Sequence, residues 1–416
     1  IVNNFKIRGS WGELGNCNTT AFYPFYQTMP TGVENSGWLI NGKKPNTASA
    51  PGIVSAEMTW ETVRSWNIGF DFGLLNNRLT GSFDYFVRNT LDMIGPAPQL
   101  PATLGATVPK VNNADMKAWG FEVEVSWRDR IKDFNYGVKF VLSDDQRKVT
   151  RYPNEELNRN QWYAGRMDGL VWGYETVGIA KTDAEMEAHL ASLPNGGQSQ
   201  LGSKWAAGDI MYKDLNGDGK ISSGDGTLND LGDLKVVANT QLRFKYGLTL
   251  DASWKGFDFS AFFQGVGKRD VVVGGPYFWG ANGQGMWQAA AFKDHMDYFR
   301  PEDTESVFGP NVDAYYPRVI FGGGSSEGGK NTLTQSRYVQ NGAYIRLKNL
   351  QLGYTLPSTI TKKFAVNSLR VYVSGDNLWT GTKMRVFDPE VLGSTGDAGK
   401  AYPLARVWSV GLNVNF

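Results

Sequence analysis

The chain has 416 residues and a formal net charge of +1, from 42 basic and 41 acidic residues, with 2 histidines and 1 cysteine. That balance offers no basic stripe for nucleic acid, and so few His and Cys exclude a His/Cys zinc site and any disulfide within the chain. Gly 50, Trp 14, Tyr 18 and Phe 23 mark a chain rich in turns and aromatics, and no apolar run of about 18 residues is present to cross a membrane as a helix.

In chain order, Ile1-Val2-Asn3-Asn4-Phe5 has neither the basic nor the apolar region of a signal peptide. Either a signal peptide has been removed or the sequence begins within a longer protein, and the strand-like start favours the second. A first strand is predicted near residues 4–11. Its long connection, 12–61, contains the lone Cys17. In 62–74, Trp66, Ile68, Phe70, Phe72 and Leu74 alternate with Asn67, Gly69, Asp71 and Gly73. A two-residue period marks a strand with one apolar and one polar face. Strands follow near 78–92, 118–128 and 133–145, with Phe121, Val123, Val125 and Trp127 set against Glu122, Glu124, Ser126 and Arg128. In 239–254 the row Leu242, Phe244, Tyr246, Leu248, Leu250, Ala252 and Trp254 alternates with Arg243, Lys245, Gly247, Thr249, Asp251 and Ser253. The remaining strands are predicted near 256–268, 343–355, 369–379 and 405–416.

Soluble sandwich strands run to about 5–6 residues, whereas membrane-spanning strands need about 9–11, and several runs here reach the second length. Trp66, Trp127, Trp254, Tyr354 and Trp379 stand near run ends, where interfacial girdles lie. Short connections (Leu75–Asn77, Asp129–Lys132, Lys255) alternate with long ones (12–61, 93–117, 146–238, 269–342, 380–404), as in outer-membrane barrels. The expected fold is therefore all-β: a transmembrane antiparallel barrel with about ten strands here, long extracellular loops carrying short helices, and a periplasmic C-terminus. An open edge cannot face lipid, so residues 1–416 are read as the C-terminal part of a single plugged barrel of about 22 strands, with the plug and N-terminal strands outside this chain. The register puts Phe70, Phe72, Phe244, Leu248, Trp408 and Leu412 toward lipid, and Asp71, Arg243, Lys245 and Asp251 toward the lumen.

Within the loops, Asp214-Leu215-Asn216-Gly217-Asp218-Gly219-Lys220-Ile221-Ser222-Ser223-Gly224-Asp225 follows the spacing of a calcium-binding loop. Asp214, Asn216, Asp218, the Lys220 carbonyl, Ser222 and Asp225 are the candidate ligands for Ca²⁺. Asp225 replaces the usual bidentate Glu, and no amphipathic helices flank the loop. The competing reading is a glycine-rich turn that needs no metal. Helices are predicted over Asp183–Leu193, with Asp183 as N-cap, and over Met286–Phe299. Trp162, Tyr163 and Trp172 in one loop, and Tyr277, Phe278, Trp279 and Trp287 in another, could stack on a sugar or line a peptide cleft. Equally, they could form small cores beneath the loops. His189 and His295 have no nucleophile motif near them, no phosphate loop opens a helix, and no catalytic set emerges; the expected role is not enzymatic.

Several segments resemble one family. Ala343-Tyr344-Ile345-Arg346-Leu347-Lys348-Asn349-Leu350-Gln351-Leu352-Gly353-Tyr354-Thr355-Leu356-Pro357, then Leu369–Trp379, Asp388-Pro389-Glu390, Tyr402-Pro403 and Val410–Phe416 resemble the closing segments of SusC/RagA-like TonB-dependent transporters of Bacteroidetes. Thr59-Trp60-Glu61, Asn67–Asp71 and Arg8–Gly12 with Gly15-Asn16 are similar to its earlier hairpins. The resemblance implies a multi-pass outer-membrane importer of large solutes, oligosaccharides or oligopeptides. It would be powered through TonB by way of an N-terminal part, and capped by a SusD-like surface lipoprotein. The alternatives are a surface anchor or adhesion scaffold and a passive porin.

Overall fold

Because the side chains alternate in period two, each strand can turn one face to lipid and keep the other polar, and the chain repeats this strand after strand. The computed structural model describes residues 1–416 except 18–25, 34–36, 50, 56–57, 98–102, 104–107, 283–290, 322–325 and 394–399. The strands β1 (Val2–Asn16), β2 (Glu61–Leu74), β3 (Leu79–Ile94), β4 (Asn112–Ile131), β5 (Phe134–Arg151), β6 (Arg243–Trp254), β7 (Phe257–Lys268), β8 (Tyr344–Thr355), β9 (Ser368–Thr382) and β10 (Val407–Asn415) form one 10-stranded sheet in chain order. All neighbours are antiparallel. β1 and β10 are its edges and do not pair with each other. No helix among the described residues is long and apolar enough to cross a membrane.

The tight turns form where the backbone can become left-handed. Leu75, Asn76 and Asn77 have φ of 55, 61 and 59°, and Lys255-Gly256 has 46 and 90°, the geometry that two-residue hairpins favour. Every expected strand is present, but β4 and β5 run on to Ile131 and Arg151. Their hydrogen-bonded ladder continues past the point where apolar alternation stops.

The pairings define two faces. Phe70 lies opposite Ile7 and Phe83, and Leu248 opposite Phe140 and Phe263. On the other face Arg8 bridges Asp71 at 2.9 Å and Asp84 at 2.7 Å, and Asp258 meets Arg370 at 2.8 Å. Arg8–Asp84 and Asp258–Arg370 each reach across an intervening strand at a glycine, Gly69 or Gly353, where a Cβ would collide with the charged groups, whereas Asp71 lies on the strand next to Arg8. Arg243 departs from expectation. It pairs with Asp144 while Lys245 pairs with Asp145, and successive residues of β5 point to opposite faces. Phe244, with φ 55°, breaks the alternation between them. Arg243 therefore leaves the polar row at the loop end of β6, and its charge is met by Asp144.

Close strand approach makes Gly120 sensitive. A Cβ there would lie 2.2 Å from the Asp144 carbonyl oxygen and 2.9 Å from the Phe86 ring. Gly120→Val is expected to cost about 1–3 kcal/mol, lowering the temperature at which the folded band is lost on gels. Gly353→Val meets the flexible ends of Arg370 and Asp258 first, so it should cost less. Equal losses would contradict this assignment.

Candidate functional site in the loops and at the lumen mouth

The long loops between β5 and β6, β7 and β8, and β9 and β10 fold together. Leu170–Tyr174 pairs with Leu234–Asn239, Thr176–Ile179 with Ile210–Tyr212, and Asp270–Val272 with Val339–Asn341. A shared core gathers Tyr174, Ile210, Tyr212, Ile221, Phe278, Trp279, Tyr316, Tyr338, Met384 and Leu392. Helix α1 (Asp183–Ala191) buries Met186 beside it. Its N-cap is Thr182, not Asp183, and the Thr182 hydroxyl accepts from the Glu185 N–H at 3.1 Å. Of the second expected helix, the described part has a single 3₁₀ turn, Lys293–Met296.

The aromatic candidates separate. Trp279 is buried, edge-on to Tyr338 with ring centroids 4.7 Å apart, so it builds the core. Tyr277 is 42% exposed and stacks on Phe292. Trp162, 38% exposed, packs against Tyr152, and Tyr163 lies under the Arg166 guanidinium. Trp172 is half-buried in its strand. Trp287 lies outside the described residues. Among those described, no ring contact joins the 162–172 group to the 277–279 group.

The 214–225 loop closes on its own backbone. Asp214 accepts from the Gly217 and Gly219 N–H groups at 2.6 and 2.9 Å, Asn216 from Asp218 at 3.0 Å, and Asp218 from Lys220 at 3.1 Å. Ser222 accepts from Gly224, and Asp225 from Thr227. Among the described residues, no group of three or more His, Cys, Asp or Glu side chains is gathered as a metal cluster. Asp233, beyond the twelve-residue spacing and invisible to it, accepts from the N–H groups of both Leu215 and Ser222 at 2.7 Å. Burial, and then the Asp214 and Asp218 charges, push its carboxyl above the ordinary range.

Two further ion clusters carry no sequence signal, because their members lie far apart along the chain. Asp209 and Lys330, both 0% exposed, meet at 3.0 Å, with Arg318 at 2.7 Å from the same carboxylate. At the lumen wall, Arg346 contacts Asp388 at 2.6 Å and Glu390 at 2.9 Å, and Lys348 also binds Glu390. Arg269 donates to the carbonyls of Pro389, Leu392 and Gly393. The Asp388-Pro389-Glu390 segment is thus clamped against the wall. Below it opens a cavity of about 960 Å³ lined by Asp145, Arg147, Asp168, Gln241, Lys245 and Glu390 together with Phe262 and Tyr344. Charges of both signs and apolar patches therefore share its lining. The histidines are engaged structurally: His189 with Gln198, and His295 with the Phe292 N–H.

The family described as "TonB dependent receptor-like, beta-barrel" matches residues 1–378. The chain is similar to TonB-dependent receptor P3 of Formosa agariphila, 26% identical, over 100% of this chain and 40% of that protein. It is also similar to TonB-dependent receptor SusC of Bacteroides thetaiotaomicron, 23% identical, over 100% and 38%. Among solved structures, one described as the RagAB peptide transporter superposes with a TM-score of 0.70 at 22% identity, over 100% of this chain and 41% of that one. This chain spans about two fifths of the length of these relatives.

Proposed function

This chain belongs to the TonB dependent receptor-like β-barrel family, and we propose that it supplies the C-terminal part of the wall of an energised importer of oligosaccharides or oligopeptides. It is an outer-membrane protein by family. In this reading the long loops are extracellular and the C-terminus periplasmic, and the remaining strands and plug of an approximately 22-stranded barrel complete the structure. A TonB protein drives it and a SusD-like lipoprotein covers its loops. The observation that supports import most directly is the mixed-polarity cavity of about 960 Å³ under the loops that fold together over it, since a passive pore needs no folded layer above its mouth.

Uptake of fluorescent oligosaccharides and oligopeptides by cells, with the inner-membrane proton gradient intact or collapsed, tests this. An importer loses uptake when the gradient collapses. Gradient-independent conductance in planar bilayers would establish the porin alternative, and neither signal the anchor alternative. Co-purification with a surface lipoprotein is expected from unmodified outer membranes.

We also propose that the loop Asp214–Asp225 takes Ca²⁺ through Asp214, Asn216, Asp218, the Lys220 carbonyl, Ser222 and Asp225, stiffening its long connection. The spacing of oxygens around Gly219 supports this. At 100-fold excess over its dissociation constant, the ion should stabilise the loop by about 2.7 kcal/mol, read as slower proteolysis within 152–242. Asp214→Ala should abolish the difference between calcium and chelator. Identical cleavage in both conditions for the unaltered protein would leave the metal-free turn.

A further inference from the structure

The outer face of the sheet carries an unbalanced charge where the membrane interface lies. Across β1 to β5 one row of directly paired residues reads Trp11, Trp66, Val87, Trp119 and Gln146. These aromatics belong to the apolar face and form a girdle of the kind that sits at headgroup level. One step toward the long loops, the same-face row reads Glu13, Arg64, Asn89, Lys117 and Lys148. Glu13 neutralises Arg64. Lys117 and Lys148 stand directly opposite each other, a juxtaposition of like charges that destabilises a sheet.

Neither lysine is paired with a carboxylate among the described residues. The adjacent carboxylate on that face, Asp115, is held by Arg151 at 2.8 Å, and Arg151 also takes Asp92 at 2.6 Å. The Lys117 ammonium lies 5.8 Å from the centre of the Trp119 ring. Around the pair is a groove of about 410 Å³ lined by Tyr85, Lys117, Trp119, Lys148 and Thr150, all residues of the outward row by alternation.

We propose that Lys117 and Lys148 hold a phosphate group of an outer-leaflet glycolipid, with the Thr150 hydroxyl as a further donor and Trp119 and Tyr85 flanking the headgroup. A dianion between the ammonium groups turns their repulsion into attraction. The groove opens sideways, along the face that carries Phe70, Phe140 and Ile68 exposed, so its neighbour is the bilayer. A free anion would have no use for the aromatic flank. The inference rests on the outer-membrane placement of this face and is independent of what the barrel imports.

The test uses the protein as extracted from outer membranes, titrated with lipopolysaccharide, with the same glycolipid after phosphatase treatment, and with inorganic phosphate as competitor. K117Q/K148Q is expected to weaken lipopolysaccharide binding about 20- to 30-fold, from the usual worth of two surface cations at a lipid headgroup. K117R/K148R should bind nearly as the unaltered protein, and the dephosphorylated glycolipid should bind it as weakly as lipopolysaccharide binds the glutamine variant. Heat-dependent gel mobility reports folding of each variant. If the glutamine variant fails to assemble, the phosphatase arm on the unaltered protein still decides. Unchanged binding by a folded K117Q/K148Q, equal binding of the dephosphorylated glycolipid, or displacement by inorganic phosphate at matching concentration would each overturn the proposal.

Discussion

Replacing Asp209 with alanine is expected to open the loop layer, at a cost of about 3–5 kcal/mol. Asp209 and Lys330 are fully buried, and the carboxylate accepts from Arg318 Nε and Nη2 at 2.7 and 2.8 Å, from Asn331 at 2.8 Å, and from the Ala206 N–H at 3.0 Å. Without it, the Lys330 ammonium keeps Glu327 at 3.1 Å, the carbonyls of Ser203 and Lys204, and the Trp205 ring. That leaves the buried Lys330 ammonium with one carboxylate where it had two, and Arg318, 32% exposed, with none, the costly half of a broken buried pair. Amide exchange in 203–212 and 329–338 should accelerate together, because the cluster joins loops more than 100 residues apart in sequence. Lys181→Ala, at the exposed pair with Asp313, should leave exchange unchanged, since surface pairs contribute little. Unaltered protection in Asp209→Ala would show that the apolar core alone holds the layer.

Arg346→Met should be comparably severe at the lumen wall. The guanidinium is 3% exposed, donates to Thr380 Oγ1 at 2.8 Å and Asp388 Oδ1 at 2.6 Å, and stands beside Glu390. The Arg346–Glu390 contact is close but not aligned as a hydrogen bond, so most of the directional hold is on Asp388 and Thr380. A neutral side chain strands the Asp388 carboxylate with little solvent, for about 3–5 kcal/mol, and should release the 383–393 segment to protease. Arg346→Lys keeps the charge without the planar fork and should fall between. If the loop is released, uptake should change even where the barrel still assembles. A protease-resistant 383–393 segment in Arg346→Met would mean that Arg269, through its three carbonyl contacts, suffices as the clamp.

The strands, their order and most of their facing were legible in the residues alone, because alternation is a local property: Trp66 to Leu74 declare two faces without reference to any other segment. The same locality explains the small errors. The apolar row of β5 gives out near 145, yet its backbone pairs with β4 as far as Arg151, since ladder hydrogen bonds do not require apolar side chains. Thr182 and Asp183 are both competent caps, and only the extended backbone at Thr182 decides between them. Arg243 left its expected face because a single left-handed residue, Phe244, interrupts the period, and nothing in an Arg-Phe-Lys triplet announces that. How the loops are tied together was decided by tertiary structure, where Asp209 meets Lys330, Arg346 meets Asp388 and Asp233 closes a loop whose spacing does not include it, and so was the facing of Lys117 and Lys148 within the sheet. Such contacts depend on which distant segments the sheet brings side by side. A buried charge finds its partner by proximity in the fold, and separation along the chain carries no trace of it.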